Sequence, residues 1–299
     1  MLAAGAGLIT ERARAKVNLT LKVLGRRPDG YHELESLVAF AGVADTVEFN
    51  TSEPVAVTVS GPFGPSIAGE NLVRVTLGRL AQADPRLRLG AVRLNKILPI
   101  AAGIGGGSAD AAAVLRAVRR ANPELRFDFD WDGLATQLGA DVPVCFNNAP
   151  ALMRGIGDQL QPVPNLPELD VVLVNPQVPV PADKTARVFR TLAAGPLDAA
   201  HHTGNFDTAT LQSRPALLAF MAATGNDLTA AALEVVPEIR IVLTALSQTS
   251  GIELAALSGG GPTCFGVFND ATGAEAAASE LSRDQPTWWI VATKISRAL

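Results

Sequence analysis

The stretch Pro99–Ala121, PIAAGIGGGSADAAAVLRAVRRA, puts four glycines (Gly103, Gly105, Gly106, Gly107) into five positions, directly before an alanine-rich segment. Ala111, Val114, Leu115 and Val118 repeat at i, i+3, i+4 and i+7, the stripe of a helix expected to start near Ser108. Glycine admits positive φ and lets a ligand approach main-chain N–H groups. A helix starting there leaves its first N–H groups unpaired and turns its positive dipole end to the loop. Together these make an anion site suited to phosphate. The common fingerprints do not fit. The chain has no Gly-Lys pair for a P-loop, and the G-x-G-x-x-G pattern fails at Ser108. A plain glycine turn before a helix is the competing reading, and the conformational entropy of four glycines weighs against it. Ser108 and Asp110 in the first turn, and Arg116, Arg119 and Arg120 toward the end, suit the helix dipole; Asn122-Pro123 ends it.

With 299 residues, 48% of them hydrophobic, the chain can bury a sizeable core as one large domain or two ordinary ones. A net charge of −4 argues against nucleic acid or an anionic membrane surface as the main partner. Cys145 and Cys264 lie in apolar runs and read as buried thiols of a reducing compartment. Residues 1–7 read as a loose tail without a secretion signal, and no apolar run is long enough to span a bilayer. A cytoplasmic protein is expected, as a monomer or weak homodimer.

Toward the N-terminus, Ala15, Val17, Leu19, Leu21 and Val23 alternate with Lys16, Asn18, Thr20 and Lys22. This reads as a half-buried strand with Lys16 and Asn18 on one side, roughly 7 Å apart. Either that side is a solvated polar face or it faces a ligand. Arg26–Gly30 is turn chemistry, and Tyr31, the chain's single tyrosine, precedes His32. The pair can stack on a base or simply close a loop. Strands are expected over 36–49 and 55–60, a helix over 71–83, and extended chain over 87–98. After a helix over 132–138, Asp141 sits at an expected helix-to-strand junction within GADVPVCF. A carboxylate in an apolar segment is a cap, a turn residue or a group with a task. Residues 149–167 read as proline-rich loop with a soft domain boundary. Beyond it, strands over 169–175, 252–257, 264–268 and 287–293 and helices over 184–193, 214–222, 227–234, 237–248 and 273–283 read as an α+β half, β-α-α-β-β-α-β, with helices on one face. A second glycine loop, Ser258–Thr263, lies in it. His201 and His202 are adjacent, so they do not face one metal.

Three separated segments share one resemblance. PIAAGIGGGSADAAA resembles the phosphate loop of the GHMP kinases, and LSGGGPTCFGVF their C-terminal glycine motif. ARAKVNLTLKVLGRRPDGYHELES, with GADVPVCF, is similar to the branch of that family serving the non-mevalonate isoprenoid route. The resemblance implies an α+β fold with two domains: a ribosomal protein S5 domain 2-like domain over 8–155 and a ferredoxin-like domain over 156–299. It implies an ATP-dependent kinase whose acceptor is a sugar alcohol carrying a cytidyl diphosphate. Pro99, Ile100, Ala101, Ala102, Gly103, Ile104, Gly105, Gly106, Gly107, Ser108 and Ala109 would wrap the ATP phosphates. Ser108 would touch Mg²⁺, and Ala109 stands where a second serine is frequent. Lys16 and Asp141 would be the catalytic pair. Asn18 would position the acceptor hydroxyls, Tyr31 and His32 would contact the cytosine end, and Thr185, Phe189 and Arg190 would complete that side. Another small-molecule kinase of the family, or a nucleotide sensor that kept the fold and lost the chemistry, are the alternatives. Retention of both Lys16 and Asp141 argues against the sensor.

Overall fold

The computed structural model describes residues 7–66, 71–198 and 206–296. The expected tail (apart from residue 7) and the His201–His202 segment lie outside the described residues. Contacts divide the chain into two interleaved units. One holds the chain up to Ala15, Ala44–Ile100 and Gly105–Asn148; the other holds Lys16–Val43, Ala101–Ile104 and everything from Ala149. Two strands, β1 (Ile9–Asn18) and β3 (His32–Asn50), contribute residues to both.

In the first unit, the far half of β3 pairs antiparallel with β5 (Ala91–Asn95), which pairs in parallel with β4 (Ala56–Ser60). Helices α1 (Leu72–Ala83), α3 (Trp131–Leu138) and α4 (Val142–Asn147) pack around α2 (Gly106–Ala121). The apolar stripe of α2 understates its burial. Ala109 through Leu115, Ala117 and Val118 are all buried, and small alanines let three helices approach it on different sides. Two expectations are corrected here. Helix α2 starts at Gly106 because left-handed Gly105, φ 63°, serves as its N-cap. The VPVCFN run after Asp141 is a helix, not a strand. Its length of six is ambiguous by pattern, and Pro143 in the first turn favours a helix start.

In the second unit, β11 (Trp289–Ser296), β8 (Leu169–Asn175), β10 (Cys264–Phe268) and β9 (Ile252–Leu257) lie side by side, all antiparallel. Val172 and Val174 of β8 share one apolar cluster with Val188 of α5 (Lys184–Leu192), Ala232 of α7 (Thr229–Val235), Ile239 and Leu246 of α8 (Glu238–Gln248), and Ala277 and Leu281 of α9 (Ala271–Asp284). A further helix, α6 (Arg214–Thr224), precedes α7. The expected α+β arrangement is present, with four helices (α5, α6, α7 and α8) rather than two between β8 and β9. The near half of β3 pairs with β2 (Lys22–Arg26) and with β6 (Ala151–Gly155), which forms a hairpin with β7 (Gln159–Pro162). The 149–167 region is therefore not all loop. Pro162 sits at the end of edge strand β7, where a missing donor is harmless. The expected strand over 15–23 is also two strands, and its polar positions up to Thr20 are not solvated, whereas Lys22 is partly exposed. Lys16, Asn18 and Thr20 are all buried.

Candidate functional site

The glycine loop alternates anchored and open positions. Ala102 and Ile104 are buried, whereas Ile100, Ala101 and Gly107 are exposed. Ala101, Gly103 and Gly105 take positive φ (53°, 78°, 63°), so the chain reverses repeatedly before α2. Gly105 has no side chain to cap the helix, and the first intrahelical bond is Ala109 N–H to Gly105 O, 2.8 Å. The N–H groups of the first turn therefore have no side-chain cap, which is the requirement for holding an anion. Ser108 is half-buried within that turn.

Within the second unit, three segments far apart in sequence are hydrogen-bonded together. Lys16 N–H donates to Ile104 O (2.9 Å), and Thr263 N–H donates to Ala102 O (3.0 Å). The Ser258 hydroxyl accepts from Asn18 N–H (3.2 Å) and donates to Gly103 O (3.1 Å). Gly103 must be glycine, since a Cβ there would lie 2.6 Å from Gly261 O. The strand bearing Lys16 and Asn18, residues 101–104 and the second glycine loop thus form one backbone-level assembly. The Asn18 side-chain amide donates to Ser36 Oγ (2.7 Å), so its oxygen is the end turned toward Gly259.

Asp141 is half-buried at the N-cap position of α4 but makes no capping bond with its side chain, which removes the cap reading. Helix α4 is tied to α2 by Arg116, which donates to Cys145 O (2.7 Å), and by the Arg119 guanidinium 4.5 Å over the Phe146 ring. Lys16 and Asp141 belong to different units.

On the acceptor side, the His32 and Phe189 rings stack directly, with centroids 4.6 Å apart and planes 23° apart. That spacing leaves no room for a base between them. Burial, then the nearby Arg26, lowers the His32 pKa below its usual value. Tyr31 is exposed, its N–H held by Asp29 Oδ1 at 3.1 Å. Thr185 and Arg190 are exposed on α5, and Arg190 is paired with Asp183 at 2.9 Å.

Two buried lysines escaped the sequence reading. Lys96 is held between Asp45 and Asp110, with Asp110 at 2.7 Å. Asp45 also accepts from Leu98 N–H at 2.8 Å, so the cluster ties β3 and the chain entering the glycine loop to α2. Asp110 therefore answers Lys96, not the helix dipole. Burial, together with Asp45, pushes its carboxyl well above the usual range. Asp45, the one acid in the largely apolar stretch Leu37–Val47, was the available signal. Lys184, at the start of α5, is buried and donates to Ala101 O (3.0 Å) and to Gly261 O.

Against known proteins, residues 71–155 match the GHMP kinases N terminal domain and residues 209–286 the GHMP kinases C terminal domain. The chain belongs to the GHMP kinase family. It is thus an ATP-dependent small-molecule kinase with the α+β fold expected above. It is 42% identical over 297 residues to the 4-diphosphocytidyl-2-C-methyl-D-erythritol kinase of Bradyrhizobium sp. (strain BTAi1 / ATCC BAA-1182), covering 96% of this chain and 97% of that one. Against the protein of that name from Methylorubrum extorquens (strain PA1), identity is 47%, with 97% and 99% covered. A crystal structure of 4-(cytidine 5'-diphospho)-2C-methyl-D-erythritol kinase superposes with a TM-score of 0.73 at 31% identity, covering 96% of this chain and all of that one. The fold extends to L. major mevalonate kinase, with a TM-score of 0.68 at 15% identity, covering 100% of this GHMP kinase and 99% of that chain. Among the described residues, no helix is long and apolar enough to cross a membrane.

Proposed function

We propose that this kinase transfers the γ-phosphoryl group of Mg-ATP to the 2-hydroxyl of 4-diphosphocytidyl-2-C-methyl-D-erythritol, a step toward isoprenoid precursors that does not use mevalonate. The observation that carries this reading is the near-complete coverage, at 42–47% identity, of kinases bearing that substrate's name. The uncapped first turn of α2 and the left-handed positions at Ala101, Gly103 and Gly105 support residues 99–109 as the phosphate loop. Phosphoryl transfer needs positioning and charge stabilisation more than covalent chemistry from the protein. In this reading Asp141 accepts or orients the proton of the attacking hydroxyl. Lys16 stabilises the transferring phosphoryl group or keeps Asp141 ionised. Ser108 has the one side-chain hydroxyl between Pro99 and Ala109, so it is the residue assigned to touch the Mg²⁺ that arrives with ATP.

For the acceptor, Asn18 orients the erythritol hydroxyls. The cytosine covers the outer face of the His32–Phe189 stack beside Tyr31, since the inner faces already meet. Thr185 and Arg190 line the same helix as Phe189, and Arg190 reaches a ligand by leaving Asp183. The division into residues 8–155 for nucleotide and chemistry and 156–299 for the substrate side is supported by the limits of the two family matches. Two buried cysteine thiols, neither in a disulfide, support a reducing, cytoplasmic setting. The low positive charge supports a small-molecule partner, with neither nucleic acid nor a membrane surface, and we assign a monomer or weak homodimer.

Asp141→Asn tests the chemistry. Turnover is expected to fall by at least about 10²-fold with the ATP dissociation constant nearly unchanged. Turnover close to that of the parent enzyme in that variant removes Asp141 from the reaction.

A further inference from the structure

The Lys184 ammonium has an unusual set of partners. An ammonium has three N–H donors. Two of them reach the carbonyls of Ala101, in the first glycine loop, and Gly261, in the second. Its side chain is buried, and among the described residues no carboxylate bonds to it. The nearest acid in sequence is engaged elsewhere. Asp183, the preceding residue, binds Arg187 (2.7 Å) and Arg190 (2.9 Å). Residues 101–104 and 258–263 contain no ionisable side chain. On α7, which packs on α5, the single ionisable residue is Glu234, and it is not among the hydrogen-bond partners of the lysine. A buried cation without a counter-charge is costly in the free protein and is relieved by an anion arriving at the same place.

We infer that Lys184 is a positioning residue for the nucleotide: it fastens α5 to both glycine loops and carries a positive charge that the ATP phosphates complete. Two observations support this. Ala101 is a non-glycine residue held at φ 53°, and Lys184 binds the carbonyl of that residue, so the clamp acts on the loop's strained turn. Helix α5 also carries Thr185, Phe189 and Arg190, the residues assigned to the acceptor, so a nucleotide that settles the clamp also settles the acceptor side. Burial lowers the lysine's pKa from 10.5 to about 8. Around pH 8 a fraction of the free enzyme then has a neutral Lys184, and an arriving polyanion favours the protonated form. Binding therefore takes up protons from solution, and affinity weakens as pH rises above 8.

The inference rests on the kinase reading only in taking ATP as the anion, and its test uses ATP alone, with no acceptor. Calorimetry of ATP binding at pH 8, in two buffers of different ionisation enthalpy, is expected to show net uptake of a fraction of a proton per ATP. Lys184→Arg stays charged at every working pH and is expected to bind ATP without that uptake. Lys184→Met is expected to bind about tenfold more weakly, also without uptake. A merely structural clamp moves no proton. Uptake that persists unchanged in Lys184→Arg, or absence of uptake in the parent enzyme, overturns the inference. If Lys184→Met does not fold, the arginine variant decides alone. Failure of the parent enzyme to phosphorylate the cytidyl alcohol strikes the proposed acceptor and leaves this measurement standing.

Discussion

Lys96 and Lys184 are both buried and both lie beside the phosphate loop in sequence or in contact, yet their surroundings are opposite. Lys96 meets two carboxylates, and Lys184 meets two backbone carbonyls. The first ammonium is over-compensated, and its neighbour Asp110 is driven toward the protonated form. The second is under-compensated, and its own pKa is driven down. A charge balanced within the fold holds segments in place. A charge left unbalanced at a loop built for phosphate is held ready for a ligand. The same residue type thus serves architecture in one place and recognition in the other, and the partner set decides which.

The sharpest way to break this contrast is to remove each charge in turn. Lys96→Met leaves Asp45 and Asp110 buried without a cation, and its stability is expected to fall by about 3–5 kcal/mol. For a chain of this size that is a loss of roughly 10 °C in melting temperature. Lys184→Met removes a desolvated charge while stranding two carbonyls, terms of opposite sign that are each about 1–3 kcal/mol. Its melting temperature is therefore expected to change far less than that of Lys96→Met, with the loss appearing in ATP affinity. Equal thermal losses in the two variants would erase the distinction. Asp110→Asn has the smallest expected effect. A carboxyl whose folded pKa is raised above its unfolded value of about 4 binds protons more readily when folded, so it costs stability as pH rises above that value. The variant is expected to match the parent at pH 5 and to be at least as stable at pH 8, as thermal melts at the two pH values will show. A large loss at pH 8 would mean that the ionised form of Asp110 is needed by Lys96.

Neither lysine could be recognised from its local pattern. Lys96 sits in an ordinary strand exit, and Lys184 in the polar first turn of a helix with Arg187 and Arg190. Their burial is a tertiary outcome, set by segments 51 and 77 residues away. What local chemistry does control was legible: the glycine loop and its helix, the strand bearing Lys16 and Asn18, and the helix and strand order after residue 169. The failures are equally physical. Six apolar residues after Asp141 fit helix and strand alike, and packing against α2 chose the helix. The prolines of 149–167 read as breakers, but an edge strand tolerates them, so the β6–β7 hairpin was missed. Alternation over 15–23 left a solvated face and a ligand-facing one equally open, whereas β1 is buried on both faces from Ala13 to Asn18. The stacking of His32 on Phe189 joins residues 157 positions apart; each aromatic was visible, their contact was not.

The central claim is the reaction itself, and product analysis tests it most directly. The purified chain is incubated with Mg-ATP and, separately, with 4-diphosphocytidyl-2-C-methyl-D-erythritol, mevalonate, homoserine and galactose, and phosphorus NMR locates any new phosphate ester. The expected result is one product, the 2-phosphate of the cytidyl compound, formed with stoichiometric ADP. Phosphorylation of another alcohol in its place, or ATP binding with no transfer to any of them, would contradict the account.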